Sequence, residues 1–118
     1  MITVEFKHGF LRRKVKFTFD LAALRRATAA CKLDLGEFYS SEKVSDEQRI
    51  FYHSYGAWLN RRDHSRDLLK RYYKLYTKFT VEQINKIKVG IQSANIVSSE
   101  LNNLMKATAQ AKAEKKNR

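Results

Sequence analysis

The spacing of the apolar residues changes near residue 20, and this change limits the folds that the chain can adopt. Up to that point apolar and polar residues alternate in two runs, 2–6 and 15–19. Alternation with a period of two predicts β-strands. Beyond it the apolar residues recur at spacings of three and four, which predicts helices. The chain contains no proline, the residue that most strongly disrupts a helix.

Together these patterns predict an α+β fold that is mainly α. An N-terminal β-hairpin over 1–19 is followed by four or five helices, and residues 81–113 form either one long C-terminal helix or two shorter ones. A length of 118 residues corresponds to a single domain. We expect this domain to cover 1–110, with its helical part over 20–110, and a basic, frayed tail to follow at 111–118.

The hairpin turn is predicted at residues 8–9, where a glycine accepts the positive φ of a tight turn. Counting outward from this turn pairs Phe6 with Leu11. In this register residues 17–19 extend beyond Met1, so their aromatic side chains must pack on helices or pair with another strand. A two-stranded hairpin is barely stable alone, so the rest of the chain or a partner has to cover it.

Three cap patterns predict where helices begin. Asp20 is a suitable N-cap for a helix that runs to about residue 32, and Gly36 is the expected stop. Ser45 and Thr80 are each followed, three residues later, by a glutamine. This spacing is the capping-box pattern, in which side chain and backbone satisfy each other at the start of a helix.

A basic segment follows the helix that begins at Ser45. We expect that helix to reach about residue 61 and the basic segment to follow as another helix, or as a continuation after a break near Asp63. Five basic residues recur there at intervals of four: Arg62, Arg66, Lys70, Lys74 and Lys78. Five further basic residues are candidates with them: Arg61, Arg71, Arg12, Arg13 and Lys14. Lys16 belongs to the same basic group on the hairpin as the last three. Side chains four apart share one face of a helix, where like charges repel.

The excess of basic residues predicts an anionic partner. The chain has 24 Lys and Arg against 12 Asp and Glu, a formal net charge of +12. Such a surplus is typical of proteins that bind nucleic acid, an acidic membrane face or an acidic protein. We interpret the ten basic residues as a candidate site for such a partner, with nucleic-acid phosphates along a 61–78 helix as one case. The alternative is a solvated basic face whose long side chains also cover apolar surface.

Two apolar surfaces are candidates for binding a partner helix. The first lies on the aromatic helix and includes Phe51, Tyr55 and Trp58. The second is a heptad-like seam in the C-terminal part that includes Ile84, Ile87, Ile91, Leu101 and Met105. Either surface could hold an amphipathic helix in a groove. We favour the alternative that the two surfaces pack on each other within the monomer, because amphipathic helices usually bury their apolar stripe in this way.

The residue pattern does not predict an enzyme. The histidines His8, His53 and His64 are far apart in the sequence, and none has a cysteine at metal-ligand spacing. The single cysteine, Cys31, occupies a core-facing position, where cysteine usually acts as a small buried hydrophobe. We therefore predict no catalytic residue, no metal and no cofactor.

The same composition predicts a soluble, intracellular protein. One cysteine cannot form an internal disulfide, which fits a reducing cytosol. The N-terminal residues lack the apolar segment of a signal peptide. No apolar run approaches the roughly 18 residues that cross a bilayer, so we expect no membrane partner.

The order of elements and four short segments resemble a known family. The segments are F-T-F-D-L-A-A-L at 17–24, L-x-L-G-E-F at 33–38, Y-G-A-W-L at 55–59 and F-T-V-E-Q-I at 79–84. Over roughly residues 1–90 the pattern is similar to that of the tail assembly chaperones of long-tailed bacteriophages.

This resemblance implies a non-catalytic helper of virion assembly in the cytoplasm of the infected host. Its protein partner would be the long, helical tape measure protein or another virion protein, which it would keep soluble and help to join tail tube subunits. A homo-oligomer is compatible with this role, and association with the virion is a further location. The alternative function is a basic nucleic-acid-binding or DNA-contacting virion protein that uses the 61–78 helix.

Overall fold

The computed structural model describes residues 1–40 and 42–94. Within these two ranges the chain forms a two-stranded antiparallel hairpin followed by five helices, so the predicted α+β, mainly α fold is confirmed. The elements are β1 (Ile2–His8), β2 (Arg13–Phe19), α1 (Leu21–Cys31), α2 (Leu35–Phe38), α3 (Asp46–Leu59), α4 (Arg66–Tyr76) and α5 (Val81–Ser93). The predictions on the tail, on Leu101 and Met105 and on a single helix over 81–113 lie partly or wholly outside the described residues.

The predicted register of the hairpin is wrong. β1 and β2 pair through a four-residue loop, 9–12, so that Ile2 lies opposite Phe19 and Phe6 lies opposite Val15. Gly9 and Arg12 take positive φ angles of 81° and 49° in this loop. The loop lets the whole apolar face of β2 pair with that of β1, whereas a two-residue turn at 8–9 would leave the aromatic end of β2 unpaired. Burial of that face, more than local turn preference, sets the register.

The predicted N-terminal caps are confirmed. The Asp20 carboxylate accepts a hydrogen bond from the Ala23 amide at 2.8 Å. Ser45 and Thr80 both form complete capping boxes at the starts of α3 and α5. These side chains satisfy backbone N–H groups that no helical carbonyl can reach.

The predicted role of Gly36 is wrong, because it does not stop α1. That helix ends at Cys31, and Lys32 takes the left-handed conformation at φ 59° and donates its N–H to the Thr28 carbonyl. Gly36 lies inside the short helix α2, which Asp34 begins with a capping box. Asp34 and Glu37 form a capping box that starts a new helical turn, so Gly36 is part of this turn and does not end a helix.

The core lies between the hairpin and helices α1, α3, α4 and α5. β2 packs on α3, β1 packs on α5, and α1 packs closely on α3. A Cβ added at Gly56 of α3 would overlap the Ala23 carbonyl of α1, so this glycine permits the close approach of the two helices. The largest side chains in this core that are fully buried include Phe17, Phe19, Tyr55 and Tyr72.

Candidate functional site

The basic segment does not form one continuous helical face. Helix α4 covers only Arg66–Tyr76, so the predicted 61–78 basic helix is too long at both ends. Arg62 precedes the helix and Lys78 follows its end. Three of the five spaced residues, Arg66, Lys70 and Lys74, therefore remain as a helical row.

The predicted break near Asp63 is confirmed, and Tyr55 holds it in place. Asn60 takes a positive φ of 57° directly after α3. The Tyr55 hydroxyl donates to the Ser65 carbonyl at 3.2 Å and shares a hydrogen bond of 2.8 Å with His64 Nδ1. A buried hydroxyl needs such partners, so the chain between α3 and α4 is drawn back onto the end of α3.

This turn of the chain brings two distant basic groups together in one groove. The groove has a volume of about 550 Å³ and lies between β2 and the chain that links α3 to α4. Its basic residues are Arg13, Lys14, Lys16, Arg61 and Arg62, and all five are exposed. Its other lining residues include Val15, Trp58, Leu59 and Leu75. We call this surface the basic groove.

The charge of the basic groove is only slightly offset by acidic neighbours. Among the described residues, the Lys14 ammonium lies 3.3 Å from the Glu5 carboxylate, and both side chains are largely exposed. The other ion pairs within residues 1–40 and 42–94 join Arg26 to Asp20 and Arg49 to Asp46, away from the groove. Four of its five basic side chains thus have no acidic partner in the described part of the chain.

Arg62 is held in a fixed position in the basic groove. Its guanidinium carbon lies 4.4 Å from the centre of the Trp58 ring, which is cation–π geometry. Its Nε donates to the Leu59 carbonyl at 3.3 Å. The planar group is therefore oriented before any ligand arrives.

A second groove, more apolar, lies between α3 and α4 and has a volume of about 900 Å³. Its floor and walls are formed by Phe51, Tyr52, Leu69, Tyr73, Tyr76 and Ile84. Its edges carry Glu47 and Gln48 from α3, and Lys70, Lys74 and Thr77 from the α4 side. The Tyr73 side chain is 60% exposed although its ring centre lies 5.9 Å from that of Phe51. We call this surface the apolar groove.

The predicted basic residues are thus divided among different surfaces. Arg13, Lys14, Arg61 and Arg62 line the basic groove, and Lys70 and Lys74 border the apolar groove. Four more are exposed outside both linings: Arg12, Arg66, Arg71 and Lys78. Lys16, which belongs to the same basic group on the hairpin as Arg13 and Lys14, also lines the basic groove.

The predicted partner-helix residues are divided in the same way. Tyr55 and Ile87 are fully buried, so neither side chain can contact a partner in this conformation. Trp58 and Ile91 are half-buried and pack against the core. Phe51 and Ile84 do line the apolar groove. Tyr52 and Tyr73 line it too and were not selected, because helical spacing alone does not place them on the predicted face.

Tyr72 of α4 lies in the core and contacts one wall residue of each groove. Its ring centre lies 5.5 Å from that of Phe51, in the apolar groove, and 5.2 Å from that of Trp58, in the basic groove. Its hydroxyl lies 2.6 Å from Ser54 Oγ, and burial raises the pKa of Tyr72 far above its usual range. One neutral, buried side chain therefore contacts the walls of both surfaces.

The described residues carry little that resembles reaction chemistry. Within 1–40 and 42–94, no three His, Cys, Asp or Glu side chains are grouped so that they could hold a metal ion. Cys31 is half-buried, and burial raises the pKa of its thiol, which disfavours the reactive thiolate. None of the helices in these ranges has the length and apolar character to span a membrane.

Comparisons with known proteins assign no family. No protein-family model, curated protein or solved structure matches the chain.

Proposed function

We propose that this protein is a non-catalytic, phage-type assembly protein that binds a helical segment of a partner protein in the apolar groove. The observation that carries the proposal is the groove itself, an apolar channel of about 900 Å³ between two helices. Half-buried aromatic residues beside one exposed tyrosine, Tyr73, give this groove the kind of surface that is typical of a binding site. The resemblance of residues 1–90 to tail assembly chaperones supports the same role.

The dimensions of the apolar groove suit an amphipathic helix. Helix α4 has 11 residues and is about 16 Å long, at about 1.5 Å per residue. A partner helix lying along it would present apolar residues at intervals of three and four, about three of them over this length. Tyr73 would then become buried, and its hydroxyl would keep a polar edge at the groove mouth, as is common for tyrosine in interfaces.

The charges at the edges of the apolar groove specify the partner further. Lys70 and Lys74 stand one turn apart on the α4 edge, while Glu47 stands on the α3 edge. A partner helix with acidic residues on the side that faces α4 would be favoured, and one with basic residues there would be repelled. By the resemblance, the partner would be the long, helical tape measure protein, which such a helper would keep soluble.

Binding to a tape measure fragment encoded beside this chain tests the proposal. The two are co-expressed, purified together and titrated by isothermal calorimetry. The variant Tyr73→Glu places a charge in the apolar groove and should weaken binding at least about tenfold, or about 1.4 kcal/mol. The matched control is Val89→Glu on α5, because Val89 is 59% exposed, is also apolar and does not line the groove.

The control should bind the fragment within about twofold of the unchanged protein. An equal loss of affinity in both variants, or no loss in Tyr73→Glu, would show that the fragment does not bind in the apolar groove. If the fragment does not bind at all, and size-exclusion chromatography shows a dimer that Tyr73→Glu dissociates, the groove holds a second copy of this chain instead.

A further inference from the structure

We propose that the basic groove is a second, separate binding site and that it holds single-stranded nucleic acid. The proposal goes beyond the protein-binding function, because it concerns another surface and another class of ligand. It rests on three features of the described residues: the convergence of the basic side chains, the fixed position of Arg62, and an exposed aromatic residue on the same hairpin.

The first feature is the arrangement of charge. Lys14 and Lys16 lie on one face of β2 about 6.5 Å apart, at about 3.3 Å per residue. Arg61 and Arg62 approach from the chain that follows α3, so cations line the groove from both sides. Several cations along a concave track can contact successive phosphates of one strand.

The second feature is the preorganised arginine. Arg62 rests on the Trp58 ring, and its Nε bonds to a backbone carbonyl, so part of its side-chain freedom is already lost in the free protein. Ordering a long side chain upon binding costs about 0.5 to 1.5 kcal/mol. An arginine that is already ordered avoids much of this cost, and it still has N–H groups that can donate to a phosphate.

The third feature favours a single strand over a duplex. Phe10 lies at the tip of the hairpin loop, three residues before Arg13, and its side chain is 100% exposed. Leu11 beside it is 70% exposed. An exposed aromatic ring beside a basic track offers a platform on which an unpaired base can stack. The bases of a duplex are already stacked on each other, so Phe10 would contribute little there.

A lipid surface is the less suitable ligand. An exposed apolar tip with nearby cations is also a feature of proteins that touch anionic membranes. However, the cations here line a concave groove of about 550 Å³, and a flat bilayer cannot follow a concave surface. A flexible phosphodiester strand can.

Intrinsic fluorescence provides a local readout of this site. Trp58 is the only tryptophan of the chain, and it lines the basic groove. Titration with an oligodeoxythymidine of about 20 nucleotides should change the Trp58 emission with the same midpoint as the anisotropy of a labelled strand. Four phosphates neutralised at a slope of about −0.7 each predict that affinity falls about 50-fold between about 50 and about 200 mM salt.

Two matched triple variants separate this site from general charge. Arg13→Gln/Lys16→Gln/Arg61→Gln removes three charges from the basic groove, and Arg66→Gln/Lys70→Gln/Lys74→Gln removes three from α4. All six side chains are exposed, so both variants should fold, which circular dichroism checks. At about 50 mM salt the first should bind at least about 30-fold more weakly, with a salt slope smaller by about two. The second should lose less than about threefold.

A third variant, Phe10→Ser, tests the stacking platform. It should weaken binding of the single strand at least about fivefold, which corresponds to about 1 kcal/mol of lost stacking, and leave duplex binding within about twofold. Equal losses in the two triple variants would contradict the proposal, as would a strand that binds without any change in Trp58 emission. Binding to phosphatidylserine vesicles but not to oligonucleotides would overturn it in favour of a membrane surface.

Failure here is distinguishable from failure of the protein-binding function. Tyr73→Glu lies in the apolar groove and should leave oligonucleotide affinity unchanged within about twofold. A protein that binds the tape measure fragment but no oligonucleotide would disprove only the second site.

Discussion

The two grooves each have a wall residue that contacts the buried Tyr72, and they differ in which side chains form their lining. In the apolar groove aromatic side chains form the walls, and Lys70 and Lys74 stand only at an edge. In the basic groove the charges form the lining, and Arg62 is itself packed on an aromatic ring. Aromatic residues thus form the contact surface in one groove and serve as support for a cation in the other. A sequence in which basic and aromatic residues alternate therefore does not by itself indicate which of the two types contacts the ligand.

The largest expected effect comes from removing the wall that the grooves share. Tyr72→Ala deletes a fully buried ring and the hydrogen bond that its hydroxyl shares with Ser54 Oγ. We expect a loss of about 3 to 5 kcal/mol in the free energy of unfolding, as for other buried aromatic residues. Urea denaturation measures it, and Tyr73→Ala is the control because Tyr73 is 60% exposed and should cost less than about 1 kcal/mol.

The outcome also tests whether the grooves depend on each other. Tyr72→Ala should impair both binding activities, since Phe51 and Trp58 lose the same contact. If only one activity changed, the two grooves would not share Tyr72 as a structural support.

The next effect is a loss of stability in acid that affects both grooves equally. His53 is 8% exposed and packs against the Phe19 ring. Burial lowers the pKa of the His53 imidazole from its ordinary value of 6.5 to about 4. The folded state therefore binds this proton less readily than the unfolded state, so the stabilising contribution is present above about pH 6.5 and is lost as the pH falls towards about 4. The loss approaches about 3 kcal/mol at about 1.4 kcal/mol per pH unit.

The variant His53→Leu isolates this effect from the titration of carboxylates. Its stability should decline less between about pH 6.5 and 4 than that of the unchanged protein, as measured by urea denaturation at each pH. Parallel curves for the two proteins would show that His53 is not the group responsible.

The smallest expected effect is confined to the basic groove. Arg62→Gln removes the cation from the Trp58 ring, and we expect about 0.5 to 1 kcal/mol of lost stability, as for other exposed cation–π pairs. The emission of Trp58 in the free protein should shift, while Arg62→Lys, which keeps the charge but not the planar group, should give a similar shift. An unchanged spectrum in both variants would indicate that the stacked position is not the main one in solution.

The strands and helices could be predicted from the sequence, but the contacts between segments that are far apart in the sequence could not. The alternation of apolar residues and the caps at Asp20, Ser45 and Thr80 are local signals, and each was confirmed. The hairpin register was not local, because it depended on where the apolar face of β2 could be buried. The prediction that Gly36 ends α1 was wrong for a related reason. The capping box that Asp34 begins starts a new helix, and this outweighs the tendency of glycine to end one.

The candidate sites were predicted as residue types but not as surfaces. The basic-groove cations were recognised as two separate basic groups, yet nothing in the sequence joins Arg13 to Arg61. Their proximity follows from the turn that Tyr55 fixes through Ser65 and His64. Tyr55 was a candidate for a docking surface, with packing inside the monomer as the favoured alternative, and its burial and these hydrogen bonds give it a structural role. Pairwise proximity of this kind arises from tertiary packing, which the spacing of residues along one helix does not contain.

The most direct test of the account is the affinity of the tape measure fragment for two variants measured side by side by calorimetry. Tyr73→Glu should bind it at least about tenfold more weakly, and Arg13→Gln/Lys16→Gln/Arg61→Gln should bind it within about twofold of the unchanged protein. The opposite result, in which the basic-groove variant loses the fragment and Tyr73→Glu retains it, would contradict the assignment of the protein partner to the apolar groove.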